Sequence, residues 1–172
     1  VVDNMSSMIN SIVPRKIRLV QKVTGDLPRL KGDQVQQGQV LMNLVANAID
    51  ALDQEAGTIQ ITTGLTEVDA AGLRQSFFAS EAEVGAYLYL SVKDSGSAMD
   101  AVQVSKIFDP FYSEKGVSKG LGLSSISGIV RQHGGFAHVE SSLGEGSEFT
   151  VYFPALSYSE VLSKQGSQFR SS

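Results

Sequence analysis

Apolar residues recur every three or four positions in three parts of the chain, a spacing that predicts amphipathic helices. These parts are residues 1–12, 35–52 and 121–133, and two of them end at Pro14 and at the pair Gly134-Gly135. Shorter helical patterns are found near 73–78 and 102–107. Five strands are predicted, mostly from alternation of apolar and polar positions, at 17–23, 58–63, 87–93, 136–141 and 148–153.

The order of these elements predicts an α/β (α+β) sandwich. We expect a mixed, mostly antiparallel sheet of about five strands, covered on one face by about three helices. The last two strands are separated only by a tight turn at 144–146, which favours a hairpin over a regular β-α-β alternation. Residues 1–155 are predicted to form one domain, and the polar, Ser-rich residues 156–172 a tail or linker.

The composition of the chain argues against nucleic-acid binding and against a membrane-spanning segment. The chain has 172 residues, enough to bury a sizeable core, and its 14 basic and 18 acidic residues give a net charge of −4. We therefore expect no nucleic-acid partner, because such binding depends on neutralising phosphates with basic residues. There are no cysteines, and no apolar run approaches the roughly 20 residues that span a bilayer. We expect no direct membrane contact by this part, although a longer, membrane-anchored parent is compatible with the sequence.

The predicted helix at 35–52 carries three polar residues on one face, Asn43, Asn47 and Asp50. An amide oxygen is a hard, neutral ligand that suits a Mg²⁺ ion also held by phosphates. The alternative is a helix with an ordinary solvated polar face, and the pattern alone does not decide between the two.

The strand at 87–93 leads into the sequence Asp94-Ser95-Gly96. A carboxylate at a strand end can accept a hydrogen bond from an exocyclic amine, and a glycine beside it would let a flat ligand approach the backbone. An ordinary Asp-Ser-Gly turn is the alternative explanation.

The loop before the helix at 121–133 contains Lys115 and Lys119 and runs into Gly120 and Gly122. Free backbone N–H groups at a helix N-terminus bind anions, and glycines let phosphate oxygens come close. The P-loop pattern is absent, and a Rossmann fingerprint would need a preceding strand and a third glycine where Ser125 stands. A flexible connection is the other possibility.

The polar helix face, the Asp94 turn and the glycine loop belong to a series of five motifs that occur in a fixed order along the chain. They are "QVLMNLVANAIDAL", "DSGSAM", "IFDPFYSEK", "KGLGLSS" and "SLGEGSEFTVYFP". Together they resemble the N box, first glycine box, F box, second glycine box and closing glycine hairpin of the catalytic, ATP-binding domain of sensor histidine kinases, within the GHKL ATPase superfamily. The resemblance covers about residues 1–155, and implies the Bergerat ATP-binding fold with ATP and Mg²⁺ as cofactors.

The resemblance also implies a role for individual residues. Asn47 would coordinate Mg²⁺, Asn43 would lie near the phosphates, and Asp94 would accept the adenine amino group. Lys115 would reach the γ-phosphate from an ATP lid at about 112–119. The remaining residues expected at the nucleotide are Asp50, Gly96 and Met99 around the base and metal, Phe108 and Phe111 as lid anchors, and Lys119, Gly120, Leu121, Gly122 and Leu123 at the phosphates.

Asn43 points to a branch of the superfamily. The gyrase and MutL-like branches carry a glutamate at this position to activate water, and a neutral amide cannot act as a general base. Transfer to a protein histidine is the implied reaction, with a response-regulator receiver domain as a further partner and a cytoplasmic location. The two histidines, His133 and His138, lack the phosphoacceptor context, so the acceptor is expected on a separate dimerisation domain and this chain alone should not autophosphorylate.

Two glycines of the family pattern are replaced, by Ala98 and Ser118. If position 98 needs a positive φ, alanine costs on the order of 1 kcal/mol there. The alternative is therefore a degenerate pseudokinase domain that acts as a protein-interaction module. A serine kinase of the anti-sigma-factor type shares the fold, but the inserted residues 64–86 and the extended last hairpin favour a hybrid sensor kinase.

Overall fold

A computed structural model of the protein describes residues 9–22, 34–52, 55–74, 76–77, 82–96, 101–107, 117–142 and 144–154. The strands are β1 (Ile17–Lys22), β2 (Gly57–Val68), β3 (Gly85–Asp94), β4 (Phe136–Ser142) and β5 (Gly146–Pro154). The helices are α1 (Gln34–Leu52), α2 (Ala70–Arg74), α3 (Ala101–Lys106) and α4 (Val117–Gln132). The predicted helix at 1–12 is described only at 9–12, where it is helical, and the predicted tail lies outside the described ranges.

The five strands form one mixed sheet in the order β1-β2-β3-β5-β4. β1 runs parallel to β2, and the other three neighbouring pairs are antiparallel. This arrangement confirms the predicted mixed, mostly antiparallel sheet, including the β4–β5 hairpin. Because β2 is antiparallel to β3 and β3 to β5, the end of β3 lies between the starts of the two strands beside it.

The core lies between one face of the sheet and helices α1 and α4. Alternation puts one set of side chains from β2, β3 and β5 on this face, and the helices contribute apolar residues at helical spacing. Buried members are Leu41, Leu44, Val45, Ala48, Ile59, Ile61, Leu90, Val92, Ile126, Val130, Phe149 and Val151. Each large side chain buried there contributes about 1.5–3 kcal/mol.

The connection between β2 and β3 differs most from the prediction. β2 continues five residues past the predicted end at position 63, because its second half pairs with the start of β3 from Gly64↔Tyr89 to Val68↔Gly85. The short helix predicted at 73–78 is wrong in its bounds, since α2 lies at Ala70–Arg74. The backbone N–H of Gly72 donates to the Oδ1 atom of Asp69 at 2.8 Å, so Asp69 caps the helix start.

Phe77 connects this region to the far edge of the sheet. Its backbone N–H donates to the carbonyl oxygen of Ala137 at 2.7 Å, and the N–H of Ala137 donates back at 3.1 Å. Ala137 belongs to the edge strand β4, so the chain between β2 and β3 reaches across the end of the sheet and covers part of that edge.

Helix α4 also differs from the prediction at its start. It begins at Val117, four residues before the predicted position, which puts Lys119 to Leu123 inside its first two turns. The first turns include Gly120 and Gly122, and each glycine costs helix stability. The residues around them, Ser118, Lys119, Leu121 and Leu123, adopt a helical backbone at a lower cost, so the helix still forms. At the other end, the Nδ1 atom of His133 lies 2.8 Å from the carbonyl oxygen of Ile129, so this side chain caps the last turn of the helix.

Candidate functional site

Asp94 is the last residue of the central strand β3. It pairs with Ile59 of β2 on one side and with Ser147 of β5 on the other, and its side chain lies on the helix-covered face of the sheet. Only 1% of the residue is exposed, which is unusual for an aspartate. The sheet therefore holds a carboxyl group at the boundary between the core and the helices.

The two oxygens of this carboxyl group differ in their partners. The backbone N–H of Gly96 donates to Oδ1 at 2.9 Å, whereas Oδ2 is buried without a hydrogen-bond partner in the part of the chain that the structure describes. Burial raises the pKa of Asp94 to about 6, although backbone hydrogen bonds from Gly96 and Ser147 act in the opposite direction. A buried acceptor atom without a donor is costly unless a ligand or water supplies one.

The turn after Asp94 is fixed by hydrogen bonds to β2. The N–H of Thr58 donates to the Oγ atom of Ser95 at 2.9 Å, and the N–H of Ser95 donates to the carbonyl oxygen of Thr58 at 3.1 Å. A Cβ atom added at Gly96 would overlap the backbone carbonyl of Ala51 at the end of α1. Gly96 is therefore required for the close approach of this turn to α1, a reason that the sequence did not reveal.

Helix α1 places the predicted metal and phosphate residues above this end of the sheet. Asn43, Asn47 and Asp50 are all half-buried on α1, which packs against β3 and α4. Asn43 and Asp50 have interactions with other parts of the protein. Asn47 makes no hydrogen bond through its side chain within the ranges given above, so its amide oxygen is available to a hard cation.

The predicted phosphate-binding residues Lys119, Gly120, Leu121, Gly122 and Leu123 occupy backbone positions in the first two turns of α4. The expectation that the glycines precede or begin the helix is thus corrected, and the first turn that could offer free N–H groups begins at Val117. Because α4 packs against α1, this helix start and the polar side of α1 belong to the same layer. Met99, Phe108, Phe111 and Lys115 lie outside the described residues, as do Ala98 and most of the predicted lid.

Two residues of the β4–β5 hairpin support Asp94 and were missed by the sequence reasoning. A Cβ atom at Gly146, whose φ is +87°, would overlap the backbone carbonyl of Asp94. Ser147 is 3% exposed, and its Oγ atom lies 2.9 Å from that of Ser141. The hairpin was recognised in the sequence, but its register against β3 depends on non-local pairing that the pattern does not contain.

This arrangement has a definite chemical capacity. It joins a buried, unsatisfied carboxylate oxygen, a glycine turn against a helix end, and a half-buried amide on the neighbouring helix. A planar group that carries an N–H donor fits the first two features, and an oxygen-bound cation fits the third. The fold is therefore a sandwich domain, and these residues form a candidate small-molecule site between the sheet and its helices.

Comparisons with known proteins assign the family. Residues 32–157 match the profile of the family described as histidine kinase-, DNA gyrase B-, and HSP90-like ATPase. The chain belongs to this family, and the predicted resemblance to the catalytic domains of sensor histidine kinases is confirmed.

Individual proteins agree with this assignment. The chain is 35% identical over 158 residues to the sensor kinase CckA of Brucella abortus (strain 2308), an alignment that covers 91% of this chain and 16% of that protein. It superimposes on the nucleotide-free catalytic domain of the histidine kinase ThkA with a TM-score of 0.63 and 26% identity, covering 90% of this chain and 86% of that one. Full-length ShkA, solved in complex with AMPPNP, gives the same TM-score and identity and covers 90% of this chain and 28% of ShkA.

None of the helices within the described ranges is both long enough and apolar enough to cross a membrane.

Proposed function

We propose that this chain is the ATP-binding catalytic domain of a cytoplasmic two-component sensor histidine kinase. It binds Mg-ATP and donates the γ-phosphoryl group to a histidine on a separate dimerisation and phosphoacceptor domain, from which a receiver domain takes it up. The observation that carries the proposal is the buried Oδ2 atom of Asp94, which lacks a partner in the described part of the chain. It supplies the acceptor that an adenine amino group needs.

The other proposed roles are carried over from the family resemblance, and the packing of α1 against α4 supports them. The amide oxygen of Asn47 holds Mg²⁺, with Asn43 and Asp50 lining the same side of α1. The phosphates bind at the start of α4, where the first turn from Val117 to Gly120 offers free N–H groups and the helix dipole favours anions, and Leu121 to Leu123 follow in the second turn. From the family resemblance alone, we further propose that Gly96 and Met99 border the base, that Phe108 anchors the lid and that Lys115 reaches the γ-phosphate; the last three residues lie outside the described ranges.

Transfer to a protein is favoured over hydrolysis. The position that would carry a water-activating carboxylate is Asn43, whose neutral amide does not take up a proton at physiological pH. In phosphoryl transfer the protein mainly positions groups and stabilises charge, and this layer of amide and backbone N–H groups suits that task.

The experiment that tests this function is calorimetric titration of the chain with ADP and with a non-hydrolysable ATP analogue, each with and without Mg²⁺. We expect saturable binding that is lost in Asp94→Asn.

Asp69→Asn is the matched control, because Asp69 also follows a strand and accepts a backbone N–H, but is exposed. Unchanged binding in Asp94→Asn would overturn the assignment of the base site. No binding by the wild-type chain would favour the pseudokinase alternative, with Ala98 as the first residue to restore to glycine.

A further inference from the structure

The face of the sheet opposite the helices contains a cleft of about 380 Å³. It is lined by four hydroxyl residues, two tyrosines and one glutamate from β2, β3 and β5, all at the positions that alternate with the core residues. We refer to this site as the outer cleft. It lies on the other side of the sheet from Asp94, so the nucleotide site does not account for it.

Hydroxyl groups without protein partners line the floor of the outer cleft. Ser91 and Thr150 face each other across β3 and β5, and each is only 7% exposed. Neither side chain makes a hydrogen bond within the ranges that the structure describes, whereas Thr62, the next residue in the same row, accepts one from the Nε2 atom of Gln60 at 3.4 Å. Asp94 Oδ2 is the one fully buried polar side-chain atom without a partner among the described residues, so the hydroxyl groups of Ser91 and Thr150 reach solvent and offer acceptors to whatever enters.

Two tyrosines form one wall. Tyr89 and Tyr152 are direct cross-strand neighbours, with ring centroids 6.4 Å apart and a 48° angle between the rings. Tyr152 stacks on Phe136 at 4.5 Å, which fixes its orientation. Phe136 covers one face of Tyr152 and the ring of Tyr89 lies over Gly64, so a cation would meet the remaining surface of two rings that are already held in place.

The other end of the outer cleft is acidic. Glu148 lies directly across from Glu140, and like charges in such a pair repel each other. His138 approaches Glu140 at 3.2 Å, whereas Glu148 has no ion pair among the described residues, although Lys93 is its neighbour on β3. Burial and the charges of Glu148 and Glu140 raise the pKa of Tyr152, which agrees with a surplus of negative charge here.

We propose that the outer cleft binds the guanidinium group of an arginine on a partner protein. A guanidinium group can stack on the tyrosine wall, pair with Glu148 and donate to the floor hydroxyls of Ser91 and Thr150 at the same time. A lysine ammonium group is a compact charge that cannot match this spread of acceptors. The volume is at the lower end of the range for ligand pockets, about 300–1,000 Å³, and suits one long side chain with its flanking backbone.

The test is an NMR titration of the whole chain with N-acetyl-L-arginine methylamide, followed through backbone amide shifts. We expect saturable shifts confined to β2, β3 and β5 around Thr62, Ser91 and Thr150. The citrulline analogue, which has the same shape without the charge, should bind at least about tenfold more weakly. Absence of saturable shifts, or equal binding of the citrulline analogue, would overturn the proposal.

Variants locate the site. Glu148→Gln should weaken arginine binding about tenfold, and Glu67→Gln, an exposed residue of β2 that alternates to the other face, should leave it unchanged. Lys93→Gln should keep or raise the affinity, because it removes a competing cation. An unaltered affinity in Glu148→Gln would contradict the proposal, as would a clear loss in Lys93→Gln. ADP binding serves as the check that each variant is folded, since none of these residues belongs to the nucleotide site.

Discussion

The carboxyl group of Asp94 has two oxygens in different environments. Oδ1 accepts a hydrogen bond from Gly96, and Oδ2 faces the interior without a donor in the part of the chain described. The folded protein therefore favours the protonated form, and the pKa rises from 3.8 to about 6. At neutral pH the ligand-free protein carries a buried charge that lowers its stability, which is the expected cost of a preformed site for an N–H donor.

Removing this charge should stabilise the ligand-free protein. A pKa difference of about 2 units corresponds to roughly 3 kcal/mol, part of which is lost because the new amide lacks a partner. Asp94→Asn should therefore raise the free energy of unfolding by about 1–3 kcal/mol at pH 8, as measured by urea denaturation. Asp69→Asn should change it by less than about 0.5 kcal/mol, because Asp69 is exposed. A variant of Asp94 that is less stable than the wild type at pH 8 would contradict this account.

The same group gives a pH dependence of known sign. Between about pH 4 and pH 6 the folded protein holds a proton on Asp94 that the unfolded chain has released, so stability from this group falls as the pH rises through that window. Adenosine binding should change in the opposite direction, weakening as the pH falls below about 6, because the protonated group is a poorer acceptor. Calorimetry at several pH values measures both quantities, the stability by thermal unfolding and the adenosine affinity by titration. A flat binding profile in the wild-type chain would contradict the role of Asp94.

At the scale of elements, the β4–β5 hairpin supports the end of β3. Gly146 has a positive φ of +87° and lies against the carbonyl of Asp94, whereas Gly144 has a φ of +84° with open space around it. The two glycines share a backbone conformation and differ in their surroundings. They therefore separate the cost of backbone strain from the cost of steric overlap.

Alanine substitutions measure these two costs. Gly144→Ala should lower the free energy of unfolding by about 1 kcal/mol, from backbone strain alone. Gly146→Ala should lower it by about 2–4 kcal/mol, because its methyl group would also displace the strand that carries Asp94. Urea denaturation measures both variants, and equal losses would show that the contact with Asp94 has no energetic weight.

The elements also show how far sequence reasoning reaches. The bounds of α1 and β3 were predicted closely, because apolar periodicity and alternation are strong there. The second half of β2 was missed because residues 64–68 are held by pairing with β3, a long-range effect. The early start of α4 was missed because two glycines suggested a loop, although helix formers surround them. At the site, residue types indicated Asp94 and Asn47, while the buried state of Oδ2 and the contribution of Gly146 depend on tertiary structure.

For the whole molecule, the proposed function requires a partner that carries the histidine. The chain spans 16% of the sensor kinase CckA that it resembles, and the acceptor is proposed to lie on a separate domain. The reaction can then be tested in trans, with this chain as the donor and a histidine phosphoacceptor domain of a sensor kinase as the acceptor.

Substitution of the proposed metal ligand, Asn47, tests that reaction most directly. Asn47→Asp should lower the rate of phosphoryl transfer in trans by at least about 10²-fold, because it adds a charge where a neutral oxygen positions Mg²⁺ against the phosphates. Asn10→Asp, at an exposed helical position far along the chain, is the control and should transfer normally. Transfer of labelled phosphate from ATP gives the rate, and retained activity in Asn47→Asp would remove that residue from the metal site.

The hydrogen bonds between Phe77 and Ala137 have a consequence for solubility. An edge strand with free backbone groups is a template on which further copies of a chain can add, as they do in fibrils. At β4 two of these groups are already bonded to Phe77, so a second molecule cannot add along the whole strand. Phe77 thus blocks part of this edge strand against pairing with a second molecule. Deletion of Phe77 would free both backbone groups again, even though it removes no residue of the proposed nucleotide site.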